Sequence, residues 1–183
     1  MKFGMVGCGN IGADLCIALG KDTIPAELVA LTDVEPERAK ILVRSFQLEA
    51  PICDLEENAS RSDFIVECAV AEAVPDVIEA AITHHIDCLI MSVGGLMGNP
   101  ALYERARESG IQIHLPSGAL CGLDGLRSAM EAGLHRVTLT TRKPVAGLEG
   151  APYLIENGIQ LEDLKEPLVV FEGNASEAVK AFP

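Results

Sequence analysis

The sequence predicts an α/β protein: a doubly wound parallel sheet over residues 1–116, followed by an incomplete α+β second domain over 117–183. Three observations carry that prediction. Short apolar runs alternate with segments of helical spacing from Lys2 to Pro116. The first run opens directly into Gly7-Cys8-Gly9-Asn10-Ile11-Gly12, a glycine pattern set between a strand and a helix. Beyond Pro116 the alternation stops and a sparser pattern follows.

Lys2 to Val6 has the composition of a buried strand, and Ala13 to Leu19 continues with helical spacing. Each glycine between them has its own reason. Gly7 permits the tight turn, Gly9 lets the backbone come close to a pyrophosphate, and Gly12 lets the helix pack against the strand. The helix start, with Asn10 and Ile11 in its first turn, offers unpaired N–H groups and a positive dipole end to an anion. Leu28 to Asp33 is a second apolar strand, ending in an acid about twenty residues beyond Gly12. Asp33 is placed there to accept hydrogen bonds from adenosine ribose hydroxyls. Together these residues predict a Rossmann-type dinucleotide-binding domain.

Pro36 in a first turn, with Glu35 and Glu37 near the start, predicts a helix from Pro36 to Phe46. Arg38 would suit a cofactor 2′-phosphate, but Asp33 would repel one. That favours NAD, with NADP as the alternative. Ala50 to Cys53 reads as a short third strand before the acidic run Asp54 to Glu57. Asp63 to Val70 is a buried strand, and Glu72 to His84 a helix that tolerates Pro75 in its first turn. Asp87 to Val93 is the next strand, stopping at Gly94-Gly95. Pro100 to Ser109 is a helix closed by Gly110, and Ile111 to Leu115 a last strand reaching Pro116-Ser117-Gly118. Such alternation implies right-handed crossovers, and ligands bind at the carboxyl ends of the strands. Those ends are Gly7 to Gly12, Asp33, Cys68-Ala69-Val70, Ser92 to Gly95 and Pro116 to Ala119. Further on, Gly122 to Ala132 and Ser176 to Ala181 have helical spacing, while Arg136 to Arg142 and Leu168 to Phe171 read as strands.

Composition excludes several classes. Apolar residues make up 49% of the 183 residues, enough for a sizeable core, and with 4% aromatics that core is aliphatic. A net charge of −13 argues against a nucleic-acid partner, because phosphates need cations along the binding face. The cysteines at 8, 16, 53, 68, 88 and 121 form neither a CxxC pair nor zinc spacing, so buried thiols in a reducing cytoplasm are expected and a metal site is not. No signal-peptide pattern opens the chain, and no apolar stretch reaches membrane-spanning length. A cytoplasmic protein without a membrane partner is the expectation.

Ser117 to Leu126, SGALCGLDGL, stands with VGCGNIG, VECAV, MSVGGL, TTRKP and FEGNASEAVKAFP in one order along the chain. In those segments the chain resembles the L-aspartate dehydrogenase family over its whole length. The resemblance implies NAD(P)-dependent oxidation of L-aspartate to iminoaspartate, or the reverse amination of oxaloacetate, in a reaction able to feed NAD biosynthesis. It also implies a second domain with substrate-binding groups and subunit contacts, and it matches Ala119 to a cofactor-contacting alanine. The family's cofactor-binding asparagine and catalytic histidine match positions past Pro183, so the catalytic residue of this chain is unknown. The alternatives are another two-domain reductase, like homoserine dehydrogenase or dihydrodipicolinate reductase, and a non-catalytic dinucleotide-binding module.

Hydride transfer from an amino acid needs an oriented cofactor, a clamp for the carboxylates and a group that handles the proton. Arg142 and Lys143, beside Pro144, are the candidate clamp, Arg offering bidentate geometry and Lys a point charge. The plainer reading of the pair is a solvated strand end. Ser117, with the N–H groups of Gly118 and Ala119, would hold an anionic group at a helix start. Of the histidines, His84 and His85 end a helix, His114 reads as a hydrogen-bonded sheet residue and His135 as a turn residue. Cys68 and Cys121 flank the expected cleft, but no cation adjoins either, so packed thiols are expected. The second segment supplies few strands, and unpaired edges favour a homo-oligomer.

Overall fold

Five strands build one parallel sheet: β1 (Lys2–Val6), β2 (Glu27–Thr32), β3 (Phe64–Glu67), β4 (Asp87–Ile90) and β5 (Ile113–His114), in the spatial order β2-β1-β3-β4-β5. The structure, a computed structural model, describes residues 1–97, 99–118, 121–161, 164 and 166–182. The chain steps outward from β1 to β2, then crosses back to lay β3 on the other side of β1. That reversal leaves a crevice at the carboxyl end of β1, where open α/β sheets bind their ligands.

Helices cover both faces. α1 (Asn10–Gly20) and α2 (Pro36–Phe46) lie on one, and α3 (Leu55–Arg61), α4 (Val74–His84) and α5 (Pro100–Ser109) pack on the other. Strand alternation assigns the layers. Phe3, Met5, Leu31 and Val66 meet Cys16, Ala39 and Leu42 of the first layer. Val6, Ile65, Cys88 and Ile90 meet Val74, Val77, Ile78, Leu102 and Ala106 of the second. With so few aromatic side chains, this core is filled by small and branched aliphatics.

α3 is an element that hydrophobic spacing did not reveal. At seven residues it is too short for a periodic signal, and its start is set by Asp54, whose carboxylate accepts the Glu57 N–H at 2.8 Å. Its role is to insert Asn58 beneath β1. The buried Asn58 amide donates to the Met5 carbonyl at 3.2 Å and to Thr32 Oγ1 at 2.8 Å. A Cβ on Gly4 would stand 1.6 Å from Asn58 Oδ1, so β1 carries glycine there.

Other boundaries differ from expectation in an instructive way. The expected strands 63–70 and 87–93 stop at Glu67 and Ile90, because their last residues turn over the sheet edge. Residues 71–73 form a 3-10 turn before α4 rather than its first turn. The expected third strand at 50–53 is reduced to a single parallel bridge between Leu31 and Ile52.

Contacts divide the chain into two units, Met1–Pro116 and Ser117–Pro183. The second contains α6 (Leu123–Glu131), α7 (Pro152–Glu156) and α8 (Ala175–Ala181). A capping box starts α8, with the Asn174 side chain accepting the Glu177 N–H and Glu177 accepting the Asn174 N–H. The rings of Tyr153, Phe171 and Phe182 pack mutually, with centroids 5.3–5.7 Å apart. Neither expected strand of this unit forms. Residues 136–142 have no regular secondary structure and are exposed throughout, and Val137 and Leu139 face solvent. Alternation marks the two faces of a strand, but its N–H and C=O groups also need a neighbouring strand, and none pairs there among the described residues. In 168–171, Phe171 joins the ring cluster instead of a sheet.

Candidate functional site

The glycine loop joins β1 to α1, and its three glycines are required for different reasons. Gly7 has φ of 101°, and a Cβ there would lie 2.6 Å from the backbone of Cys68 and Ala69. A Cβ on Gly12 would lie 2.7 Å from the Gly7 carbonyl oxygen. These two are demanded by the fold. Gly9 differs: its φ of −85° suits any residue, and a Cβ there would meet nothing within 4 Å. The fold leaves that space open above the loop.

Gly9 also caps α1 without a side-chain hydrogen bond, and no acid stands in the first turn. The first helical bond runs from the Ala13 N–H to the Gly9 carbonyl at 3.0 Å. The N–H groups of Asn10, Ile11 and Gly12 therefore have no intrahelical partner and point out of the helix end. Asn10 and Ile11 are exposed beside them, and Gly12 is buried.

Asp33 follows β2 and binds this loop from the side. Its Oδ2 accepts the Cys8 N–H at 2.7 Å, and its Oδ1 accepts the Glu35 N–H at 2.8 Å. One carboxylate thus sets the position of the glycine loop and the entry to α2, with acceptor capacity remaining on both oxygens. Arg38 pairs with Glu35 at 2.8 Å rather than standing free at the crevice.

On the other side of the loop, Cys68 is buried and donates its thiol to the Gly7 carbonyl at 3.1 Å. It braces the loop from beneath, whereas Ala69 and Val70 are exposed above it. Behind them lies Glu67, fully buried. Oε1 accepts the Ala69 N–H and the Ser92 hydroxyl, both at 2.8 Å, and Oε2 accepts the N–H groups of Met91 at 3.0 Å and Ser92 at 2.9 Å. Sequence reasoning passed over Glu67 as one residue of an apolar strand. An acid inside such a run, three residues before its end at Val70, was the available signal.

The thiols near the loop are buried and shifted toward the protonated form. Burial pushes the Cys8 thiol up to about 12, with Asp33 and Cys16 adding to the shift. Burial likewise raises Cys68 to about 12, helped by the Glu67 charge, and Cys16 upward. Burial and the upward shift of its thiol speak against a nucleophilic role for Cys68. The exposed Cys121 lies in the second unit.

Of the remaining expected site residues, Ser117 and Gly118 are exposed, with Gly118 at φ of 59°. The next helix, α6, begins at Leu123 behind a Gly122 cap, so Ser117 and Gly118 do not form a helix start as expected. Ala119 lies outside the described residues. Arg142 and Lys143 are exposed in a segment without regular secondary structure, and neither has an ion-pair partner among the described residues. His84 closes α4 and meets Glu56 at 3.0 Å, and His85 follows it with φ of 54°. His114 lies in β5 as a sheet residue and packs its ring on Phe64, with centroids 5.6 Å apart. Among the described residues, no group of His, Cys, Asp and Glu is arranged to hold a metal ion, and no helix is long and apolar enough to cross a membrane.

An open glycine cradle on a helix N-terminus, with an acid at the end of the next strand, fits the pyrophosphate and ribose of a dinucleotide. Unit Met1–Pro116 is a Rossmann domain of the kind found in NAD-dependent dehydrogenases. Its likeness to solved structures says the same of the fold. An oxidoreductase from Agrobacterium radiobacter in complex with NAD+, L-tartaric acid and magnesium superposes with a TM-score of 0.59 at 19% identity, over 73% of this chain and 40% of that one. A WlbA dehydrogenase from Bordetella pertussis, in complex with NADH and UDP-GlcNAcA, gives 0.57 at 19% identity, over 72% and 42%.

Sequence likeness goes further. Residues 7–116 match the family described as homoserine dehydrogenase, NAD binding domain, and residues 124–183 match aspartate dehydrogenase, C-terminal. The L-aspartate dehydrogenase of Methanosarcina acetivorans is 44% identical over 187 aligned residues, spanning all of this chain and 69% of that protein. That of Bradyrhizobium diazoefficiens is 34% identical over 184, spanning all of this chain and 65% of that protein. The chain belongs to the L-aspartate dehydrogenase family. The homoserine dehydrogenase match covers the nucleotide domain, and the aspartate dehydrogenase match covers most of the second unit.

Proposed function

We propose that the chain catalyses the NAD-dependent interconversion of L-aspartate and iminoaspartate, with the roles of its residues as follows. The observation that carries this reading is the match to L-aspartate dehydrogenases through both units, not through the nucleotide domain alone. Bound NAD supplies the acceptor for the hydride that leaves the α-carbon.

Gly9, Asn10, Ile11 and Gly12 hold the pyrophosphate with backbone N–H groups, and Gly7 and Gly12 keep the turn tight enough to do so. Asp33 accepts hydrogen bonds from the adenosine ribose while it fixes the loop through Cys8. Its charge disfavours a 2′-phosphate, and Arg38, held by Glu35, does not offset it. NAD is therefore preferred to NADP. Ala69 and Val70 line the nicotinamide half, with Cys68 supporting the loop beneath, and Ala119 is assigned to the same half by family likeness. Arg142 and Lys143 clamp the substrate carboxylates, aided by Ser117 and Gly118. The protein works as a homo-oligomer in the cytoplasm; six free cysteines suit a reducing compartment, and light scattering reporting a monomer would contradict the oligomer.

The deciding assay is oxidation of NADH with oxaloacetate, with and without ammonium. Ammonium-dependent turnover supports the reading, and repetition with NADPH ranks the cofactors. Turnover that ignores ammonium overturns it in favour of ketone reduction. Binding of NADH without turnover favours a dinucleotide-binding module.

A further inference from the structure

We infer that Glu67 is a positioning residue for the nicotinamide half of the dinucleotide, an inference that rests on the cofactor reading above. The two ends of the crevice are built differently. Asp33 follows β2 and marks the adenosine side. The loop between β1 and α1 takes the pyrophosphate, so the other half of the ligand extends over the turns that follow β3 and β4. Those turns are held by one carboxylate.

Glu67 is the last residue of β3 and is fully buried. Each of its oxygens receives two hydrogen bonds: Ala69 N–H and Ser92 Oγ–H on Oε1, Met91 N–H and Ser92 N–H on Oε2. All the acceptor positions of a carboxylate are thereby filled. One donor belongs to the turn after β3 and three to the turn after β4. A buried carboxylate is a costly tie between strands already joined by a ladder. What it adds is a fixed spacing between two turns that have left the ladder. The turns are also interlocked sterically, since a Cβ on Gly95 would fall 2.4 Å from the Ala71 carbonyl oxygen. Upstream, the Cys68 thiol ties the same turn to Gly7. Glu67 thus sets where Ala69, Val70 and Ser92 stand relative to the glycine loop, without itself reaching the surface.

The test compares two ligands on the same protein, NADH and ADP-ribose, which lacks the nicotinamide. Glu67→Gln keeps the shape but turns an amide donor toward bound donors. Ser92→Ala removes a single hydrogen bond and leaves the buried acid in place, so it remains informative if Glu67→Gln does not fold. Both dissociation constants are measured by fluorescence and calorimetry on variants that unfold cooperatively. The expected result for Ser92→Ala is at least a threefold rise in Kd for NADH with less than a twofold change for ADP-ribose. Folded Glu67→Gln should lose tenfold or more on NADH alone. Equal losses on both ligands, or no loss on either, overturn the inference and leave Glu67 a packing residue. Failure of the unaltered protein to bind either NADH or ADP-ribose overturns the cofactor reading instead.

Discussion

Replacing Gly9 by alanine should separate folding from cofactor binding. The backbone at Gly9 is extended, and the added methyl would touch nothing within 4 Å. The cost to the fold is the poorer N-cap, about 0.5–1 kcal/mol. A less flexible unfolded chain offsets about 0.4–1 kcal/mol of it. At about 2–4 °C per kcal/mol for a chain of this size, Tm should move by less than ~4 °C. Binding should suffer far more, because the methyl takes the space a pyrophosphate must enter. Overpacking of that kind costs about 1–3 kcal/mol, or about 5- to 150-fold in Kd. Gly7→Ala is the contrasting variant. Its Cβ would lie 2.6 Å from the backbone of Cys68 and Ala69, at φ of 101°. Steric overlap and backbone strain together remove ~3 kcal/mol or more of stability, a Tm loss of at least ~6 °C. NADH titration by fluorescence and thermal unfolding by circular dichroism read both variants. Gly9 is not a ligand-contact position if Gly9→Ala binds NADH as the unaltered protein does, and it is a packing position if its Tm falls as far as that of Gly7→Ala.

Three further outcomes follow from the geometry. Gly4→Ala displaces the Asn58 amide and unpairs Met5 O and Thr32 Oγ1, a loss of ~3 kcal/mol. The Gly4→Ala/Asn58→Ala pair in urea unfolding should be non-additive by more than ~1 kcal/mol, and simple additivity would contradict the contact. Asp33→Asn keeps one acceptor and removes the charge, so the NADPH-to-NADH ratio of Kd values should fall about tenfold; an unchanged ratio would mean that Asp33 does not face the ribose. Stability should decline with alkaline pH. The thiols of Cys8, Cys68 and Cys88 are raised from 9.0 to about 12 by burial. Above pH 9 the unfolded chain loses these protons first, so stability held below pH 9 is lost progressively toward pH 12. Cys88→Ala should flatten that slope in denaturant titrations at pH 8 to 11, and an identical slope would dissociate the effect from Cys88.

Much of this protein is legible from local signals. The helix Pro36–Phe46 was delimited by its proline and acids, and Pro100–Ser109 by its proline and the left-handed Gly110. The glycine loop and Asp33 were found because backbone demands fall on specific residue types at specific spacing. Less was legible where partners lie far apart in sequence. Asn58 is meaningful only beside Gly4, Glu67 only beside Ser92, and 136–142 is a strand by pattern but not by pairing.

By itself, then, the sequence determined the alternating elements, the parallel sheet, the dinucleotide loop and the family. These depend on periodicity, on turn chemistry and on residues that act within one turn of their neighbours. Only the tertiary structure decided which atoms crowd Gly7 and Gly12 while the space above Gly9 stays open, and that Cys68 braces the loop from below. It also placed Glu67 as the tie between two sheet-edge turns. Steric clash, burial and hydrogen-bond partnership are properties of pairs brought together by folding, and no single stretch of chain contains them.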